Sequence, residues 1–422
     1  MQNKSALYLL LAANSVSGFA QGISMIAIPW YFTDMLKQSS LFGIIYAITT
    51  ALTLFWGLYA GTLIDKYPRK NIFLFLCISG VIVLGSVSAF GFATGSVPAY
   101  MAALVFTYTI LNYNIHFPTL YAFGQEISEK KNYGKINSLL EVNHQSVSVL
   151  SGGMAALLLG GISNNTFGNL FAFLEFKIEP WSLQKIFLLD GLTYLLSFFL
   201  VLFIKYKPLE NINRSSGNVW ERLKEGLLFL KQNPLLFLFG NSSYVIFLVL
   251  LVTVHQLVPM YIANHLNKGG EIYAATEMIY AVGALAAGIW INRLLQAKHT
   301  LKAIIILMFL TVFVYLLCSF TKTTYILLTT SVVLGLTNAG TRILRITYLF
   351  HHIPNHIIGR TGSVFQAINV LFRLFLILLF SMPFFAKDSN ITWAYFICGI
   401  FVFLCTLPLL FFYKQLRVNE KN

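Results

Sequence analysis

"GTLIDKYPRKNIF", residues 61–73, sets one acid and three bases, Asp65, Lys66, Arg69 and Lys70, within six positions. Long apolar stretches flank it on both sides, and only 10% of the 422 residues are charged. A soluble chain of this size usually carries about a quarter. This one is 57% hydrophobic and 15% aromatic, with a mean hydropathy of +0.72. Recurrent apolar runs of roughly 20 residues read as membrane-spanning helices. The expected class is an all-α integral membrane protein, and the charged stretch is one of its loops.

Segmentation gives twelve spans, near 7–33, 41–63, 71–95, 99–126, 134–161, 186–206, 234–262, 272–293, 303–320, 324–350, 359–384 and 392–413. The apolar N-terminal stretch runs on through "ISMIAIPWYF", past any cleavage site, so it reads as the first span rather than a signal peptide. With the N-terminus inside, twenty lysines and arginines fall on the cytoplasmic side and six on the other. Both termini are therefore expected in the cytoplasm, in a multi-pass protein of the cytoplasmic membrane. The net charge of +14 is spread over short loops with no basic face, which excludes a nucleic-acid partner and leaves the lipid bilayer. The four cysteines all sit in apolar segments without metal-ligand or disulfide spacing, as packing residues do.

The largest break lies mid-chain. A polar linker, "NINRSSGN", precedes "VWERLKEGLLFLKQNP", where Trp220, Leu223, Leu227 and Leu230 recur at helical spacing. That pattern predicts an amphipathic helix lying in the membrane interface. The resulting division is a six-helix bundle over 1–206, a cytoplasmic linker over 207–233 and a second six-helix bundle over 234–422. The halves also echo each other. "GTLIDK" at 61 aligns with "GIWINR" at 288, and "YGKINSLLEVN" at 133 with "IGRTGSVFQAI" at 358, at offsets of 227 and 225. Parallel half-repeats of this kind occur in alternating-access transporters.

With these features in place, the opening stretch resembles the loop signature of the major facilitator superfamily, G-x-x-x-D-[RK]-x-G-[RK]-[RK]. Gly61, Asp65, Lys66, Arg69 and Lys70 match it, and Pro68 stands where the family has its second glycine. "ERLKEGLLFLKQNP", "TEMIYAVGALAAG" and "IIGRTGSVFQAI" are similar to the drug:proton antiporter branch that contains macrolide and siderophore exporters. The glycine–proline signature of that branch's fifth helix is met only in its glycines, in "VLSGGMAALLLGG". The resemblance implies a major facilitator fold of two pseudo-symmetric bundles, and a motif whose Asp65 contacts the opposite half. It implies a monomer driven by the proton gradient, with no bound cofactor.

A charge near the bilayer centre costs about 2.5–3.5 kcal/mol on insertion scales, so each one needs a reason. At 1.5 Å per residue, Glu141 and Arg345 lie roughly 10 Å from the cytoplasmic ends of their spans, with Arg342 deeper. Arg373 lies about 20 Å in, and Glu277 about 24 Å in. Glu277, where an ionised carboxylate is costly, is the expected proton carrier, with Glu141 and His144 as the alternative. Arg342, Arg345, Arg373, His116, Asn112 and Asn114 are expected to bind substrate or to gate, Glu141 pairing with Arg345 or Arg342 across the cytoplasmic gate. Buried structural ion pairs are the other reading of the arginines, and His116 could instead serve backbone groups freed by Pro118. "HHIPNH", residues 351–356, is no metal cluster, because Pro354 breaks the face.

The function expected is a proton-coupled secondary transporter exporting a small organic compound, drug-like or siderophore-like. The arginines favour an anionic group on it. Import or facilitated passage of an anionic metabolite is the alternative. A membrane-embedded enzyme would need a nucleophile, metal or phosphate-loop motif, and the sequence has none.

Overall fold

The computed structural model describes residues 4–129, 133–161, 179–206, 219–295, 300–354 and 357–421. These are helical almost throughout. The first half contains α1 (Lys4–Trp30), α2 (Ser39–Lys66), α3 (Arg69–Thr94), α4 (Ala99–Glu126), α5 (Tyr133–Gly160) and α6 (Leu183–Leu202). Next come α7 (Val219–Gln232), α8 (Pro234–Val252), the short α9 (Val258–Met260) and α10 (Gly270–Leu295). The chain ends with α11 (Thr300–Phe320), α12 (Thr324–His352), α13 (Ile358–Phe380), the single turn α14 (Pro383–Ala386), α15 (Ile391–Phe411) and α16 (Tyr413–Lys421).

Among the described residues, nine helices or continuous helical runs are long and apolar enough to cross a membrane. Twelve were expected. The three long helices outside that set are α4, α5 and α10, which carry His116, Glu141, His144 and Glu277. Polar residues such as Asn112, Asn114 and His116 on α4, and Asn143, His144 and Gln145 on α5, lower the mean hydropathy of those two helices.

The chain resolves into two compact units. The first comprises 1–38, 52–215 and 268–278, and the second 39–51, 216–267 and 279–422. The start of α2 thus clusters with the second unit and the start of α10 with the first. Within each unit the same neighbours recur. In the first, α3 lies on α6 and α4, and α1 on α4, α5 and α6. In the second, α11 lies on α15 and α12, and α8 on α12, α13 and α15. This is the internal pseudo-symmetry that the half-repeats imply.

A local device is repeated as well. Pro29 lies near the end of α1, and the helix widens to a π-helix over Tyr31–Met35. After α8, Pro259 is bracketed by π-helical Thr253–Leu257 and Tyr261–Leu266, which carry the span begun by α8 on to Leu266. Proline supplies no N–H, and its ring crowds the preceding turn, so the wider turn ahead of Pro259 relieves both faults; the one beside Pro29 lies on its C-terminal side.

The loop between α2 and α3 is only Tyr67 and Pro68, and the bases around it do more than orient it. Arg69 Nε lies 3.2 Å from Glu126 Oε1 at the end of α4, both side chains being about nine-tenths buried (11% and 9% exposed). Lys70 Nζ donates to the carbonyls of Leu202 (2.8 Å) and Ile204 (2.9 Å), capping the C-terminus of α6. Lys66 is exposed beside the Tyr67 ring. Gly61 and the Asp65 side chain lie outside the described residues.

The amphipathic helix exists as α7, and it packs on α13 and α8. Leu230 is fully buried, while Trp220 and Leu227 remain exposed. A Cβ at Gly226 would collide with the Arg360 carbonyl, so only glycine lets α7 approach α13 there, and Glu225 pairs with Arg360 beside it.

Removing one member of a buried ion pair strands the other, at about 3–5 kcal/mol. Arg69→Met or Glu126→Leu alone should therefore lower the melting temperature of the purified protein more than both together. Lys70→Met should cost about 1 kcal/mol through lost capping. Thermal melts of the four proteins in one detergent check the order.

Candidate functional site

In the first unit a polar junction ties α4 and α5 to α1. His116 Nε2 lies 2.9 Å from Asn14 Oδ1, Asn14 Nδ2 donates to Asn143 Oδ1 (2.9 Å), and Asn143 Nδ2 donates to Ser15 Oγ (2.6 Å). Phe73 and Phe117 set ring edges and faces against His116. His116 therefore meets a side chain of α1, and Asn14 and Asn143 enter the site although sequence reasoning did not select them. One turn away, Glu141 accepts from the Tyr121 hydroxyl (3.1 Å) and from Gln145 Nε2 (3.0 Å). His144 lies against the Phe117 ring at 4.8 Å between centroids.

The two asparagines of α4 diverge. Asn112 is buried and bonds Tyr108, which joins Ser79 on α3, so it belongs to the α3–α4 contact. Asn114 donates back to the Ile110 carbonyl of its own helix.

The second unit builds its junction from the corresponding helices with different chemistry. Arg345 on α12 is 3% exposed, donates from Nη1 to the Ser243 carbonyl of α8 (3.0 Å) and lies 3.6 Å over the Tyr244 ring. Tyr244 stacks on Phe365 of α13, and Asn369 of α13 donates to the Tyr244 carbonyl at the long distance of 3.5 Å. Among the described residues Arg345 is thus held by a carbonyl and an aromatic face, with no carboxylate in ion-pair distance. Arg342 is half-buried one turn earlier on α12. Further along α12, Asn338 Nδ2 donates to the Tyr280 hydroxyl of α10. There Gly335 meets the Tyr280 carbonyl and Gly283 the Val332 carbonyl so closely that neither position has room for a Cβ. That is the close crossing small residues permit in membranes.

Two predicted residues lack such partners. Glu277 on α10 is half-buried and makes no hydrogen bond or ion pair with any described residue. Arg373 on α13 has a buried Nε with no acceptor among the described residues. A further acid, Asp190 on α6, escaped the sequence reading. It is fully buried, one oxygen accepts from Ser24 Oγ of α1 (2.7 Å), and the other has no donor among the described residues. Its signal was an aspartate inside the apolar run "FLLDGLTYLL". Among the described residues, no group of three His, Cys, Asp or Glu side chains could hold a metal ion.

If the Tyr244 face supports Arg345 by cation–π attraction, Tyr244→Leu should cost about 1–2 kcal/mol of stability, and Tyr244→Phe should keep most of it. Thermal melts that place the Phe variant level with the Leu variant would contradict this.

The Major Facilitator Superfamily model matches residues 10–377. Macrolide efflux protein A of Streptococcus pyogenes is 23% identical over 298 residues, which cover 68% of this chain and 66% of that protein. The chain thus spans just under two thirds of the length of the curated relatives it matches. Its fold is similar to that of the nucleoside transporter NupG, with a TM-score of 0.68 at 11% identity, over 97% of this chain and 99% of that one. It is similar also to a D-xylose–proton symporter (0.69, 14%, over 96% and 97%) and to a bacterial homologue of the iron transporter ferroportin (0.65, 13%, over 96% and 98%). Fold, helix contacts and family match agree: the chain is a multi-pass membrane protein and belongs to the Major Facilitator Superfamily.

Proposed function

We propose that this is a proton-coupled exporter of a small organic compound, drug-like or siderophore-like and bearing an anionic group, working by alternating access in the cytoplasmic membrane. In this reading α4, α5 and α10 also cross the bilayer, giving twelve spans in two six-helix bundles joined through 207–233, with both termini cytoplasmic and the chain a monomer. The similarity to a macrolide efflux protein supports export. The observation that carries proton coupling is Glu277, a carboxyl on a membrane helix with no described partner. An acid that must gain and lose a proton in each cycle cannot be locked into a strong ion pair. Glu141, by contrast, is tied to Tyr121 and Gln145, and with His144 it is the second candidate. Arg342, Arg345, His116 and the asparagines then shape and gate the path rather than carry the proton.

Glu277→Gln imitates the protonated carboxyl. In proteoliposomes under an imposed pH gradient it should bind substrate normally yet fail to accumulate it. Accumulation with the wild-type pH profile would move the role to Glu141 and His144. The direction of substrate movement under the same gradient separates export from import. Asp65→Asn should slow transport with little effect on insertion, because orientation follows lysine and arginine rather than acids. Full transport at normal expression by that variant would remove Asp65 from the conformational motif.

A further inference from the structure

Arg373 has no carboxylate within ion-pair distance among the described residues, and its Nε is buried without an acceptor. Around it the second unit gathers side chains from three helical segments. Tyr46 lies one turn along α2 from Gly43, which closes on Ser381 at the end of α13, and His255 directly precedes Gln256, which bonds α13 from the π-helical stretch after α8. The Tyr46 and His255 rings meet edge to face at 5.6 Å, and Tyr46 is held in place by its hydroxyl bond to the Leu251 carbonyl (3.0 Å). One turn along α13 from Arg373, Gln256 Nε2 donates to the Ile377 carbonyl (3.3 Å) and to Ser381 Oγ (3.2 Å). Gln256 is 2% exposed, and its Oε1 has no donor among the described residues. Gly43 closes directly on Ser381 and Gln256.

A guanidinium so placed needs an anion. Charges within membrane proteins are tolerated when paired or when they face a path for cargo. Arg345 has answered that demand with a carbonyl and a tyrosine face; Arg373 has not. Its planar fork suits a carboxylate or an equivalent oxyacid. The cluster holds one full positive charge amid Phe42, Leu251 and Ile377, which favours a singly charged, partly apolar anion over a polyanion. The unanswered Gln256 Oε1 would take a hydroxyl or N–H beside the acid group.

We propose that Arg373, Tyr46, His255 and Gln256 form a subsite for the acid group of an organic monoanion. This deepens the reading of the protein as a carrier of a small anionic compound and rests on it. Neither the family match nor the similar folds assign any of these residues.

The test uses full-length protein in lipid nanodiscs, with salicylate as the probe and salicylamide as its neutral counterpart. Salicylate should raise the melting temperature saturably, and salicylamide should not. In Arg373→Gln the apparent affinity should fall at least about tenfold, as expected for loss of a charge-assisted bond. Arg373→Lys, which keeps the charge but not the fork, should fall between, and it serves if the Gln variant does not fold. Equal affinity in wild type and both variants would overturn the subsite. So would stabilisation by salicylamide equal to that by salicylate, or no saturable effect from salicylate, benzoate or octanoate. Glu277→Gln should keep the full salicylate response. If that variant instead retains pH-driven accumulation while Arg373→Gln has lost the anion, only the coupling role fails.

Discussion

A hydrocarbon bilayer offers no hydrogen-bond partner, so every polar group between its faces must be answered from within the protein. The interior of this chain is organised by that demand. His116, Asn14, Asn143 and Ser15 answer one another in the first unit, and Arg345, Ser243 and Tyr244 do so in the second. Lys70 and Arg69 apply the same rule at helix ends, where carbonyls are left open and a buried acid needs a partner. Groups left without an answer stand out against this background, and they are the ones for which movement of a proton or a cargo supplies a reason.

The two units solve one geometric problem with two chemistries. The first locks α4 and α5 to α1, and the second α12 and α13 to α8, through side chains at corresponding places. The first unit uses neutral amides and an imidazole, the second a guanidinium over an aromatic ring. Such networks hold helices in register without hydrophobic force, which acts little between helices already in lipid. The repeat has kept the frame and let the residues diverge, so a function carried by one half alone is compatible with near-equivalent architecture.

Much of the fold was legible because hydropathy reports it directly: runs of apolar residues, a charged loop at 65–70 and a mid-chain polar break. Candidate residues deep in apolar runs, such as Glu277 and Arg373, were legible for the same reason. The partners were not. Nothing local to "NYNIHFPT" says that His116 meets Asn14, a hundred residues earlier, and nothing near Lys70 names the end of α6. Asp190 was passed over beside Gly191 in a span otherwise hydrophobic enough to need no explanation. His255 and Gln256 became visible only when the backbone brought Gln256 against Ile377 of α13. Pairing over long sequence separation is a property of packing, and one sequence does not encode it in readable form.

The widened turns after Pro29 and Pro259 bear on ancestry. A π-helical turn houses one residue more than an α-helical turn, so a single inserted residue is enough to create it. "PWYF" at 29–32 and "PMYI" at 259–262 carry the same proline-x-tyrosine ahead of a π-helical stretch, five residues long in the first half and six in the second. One insertion inherited by both halves explains this more simply than two independent ones at matching sites.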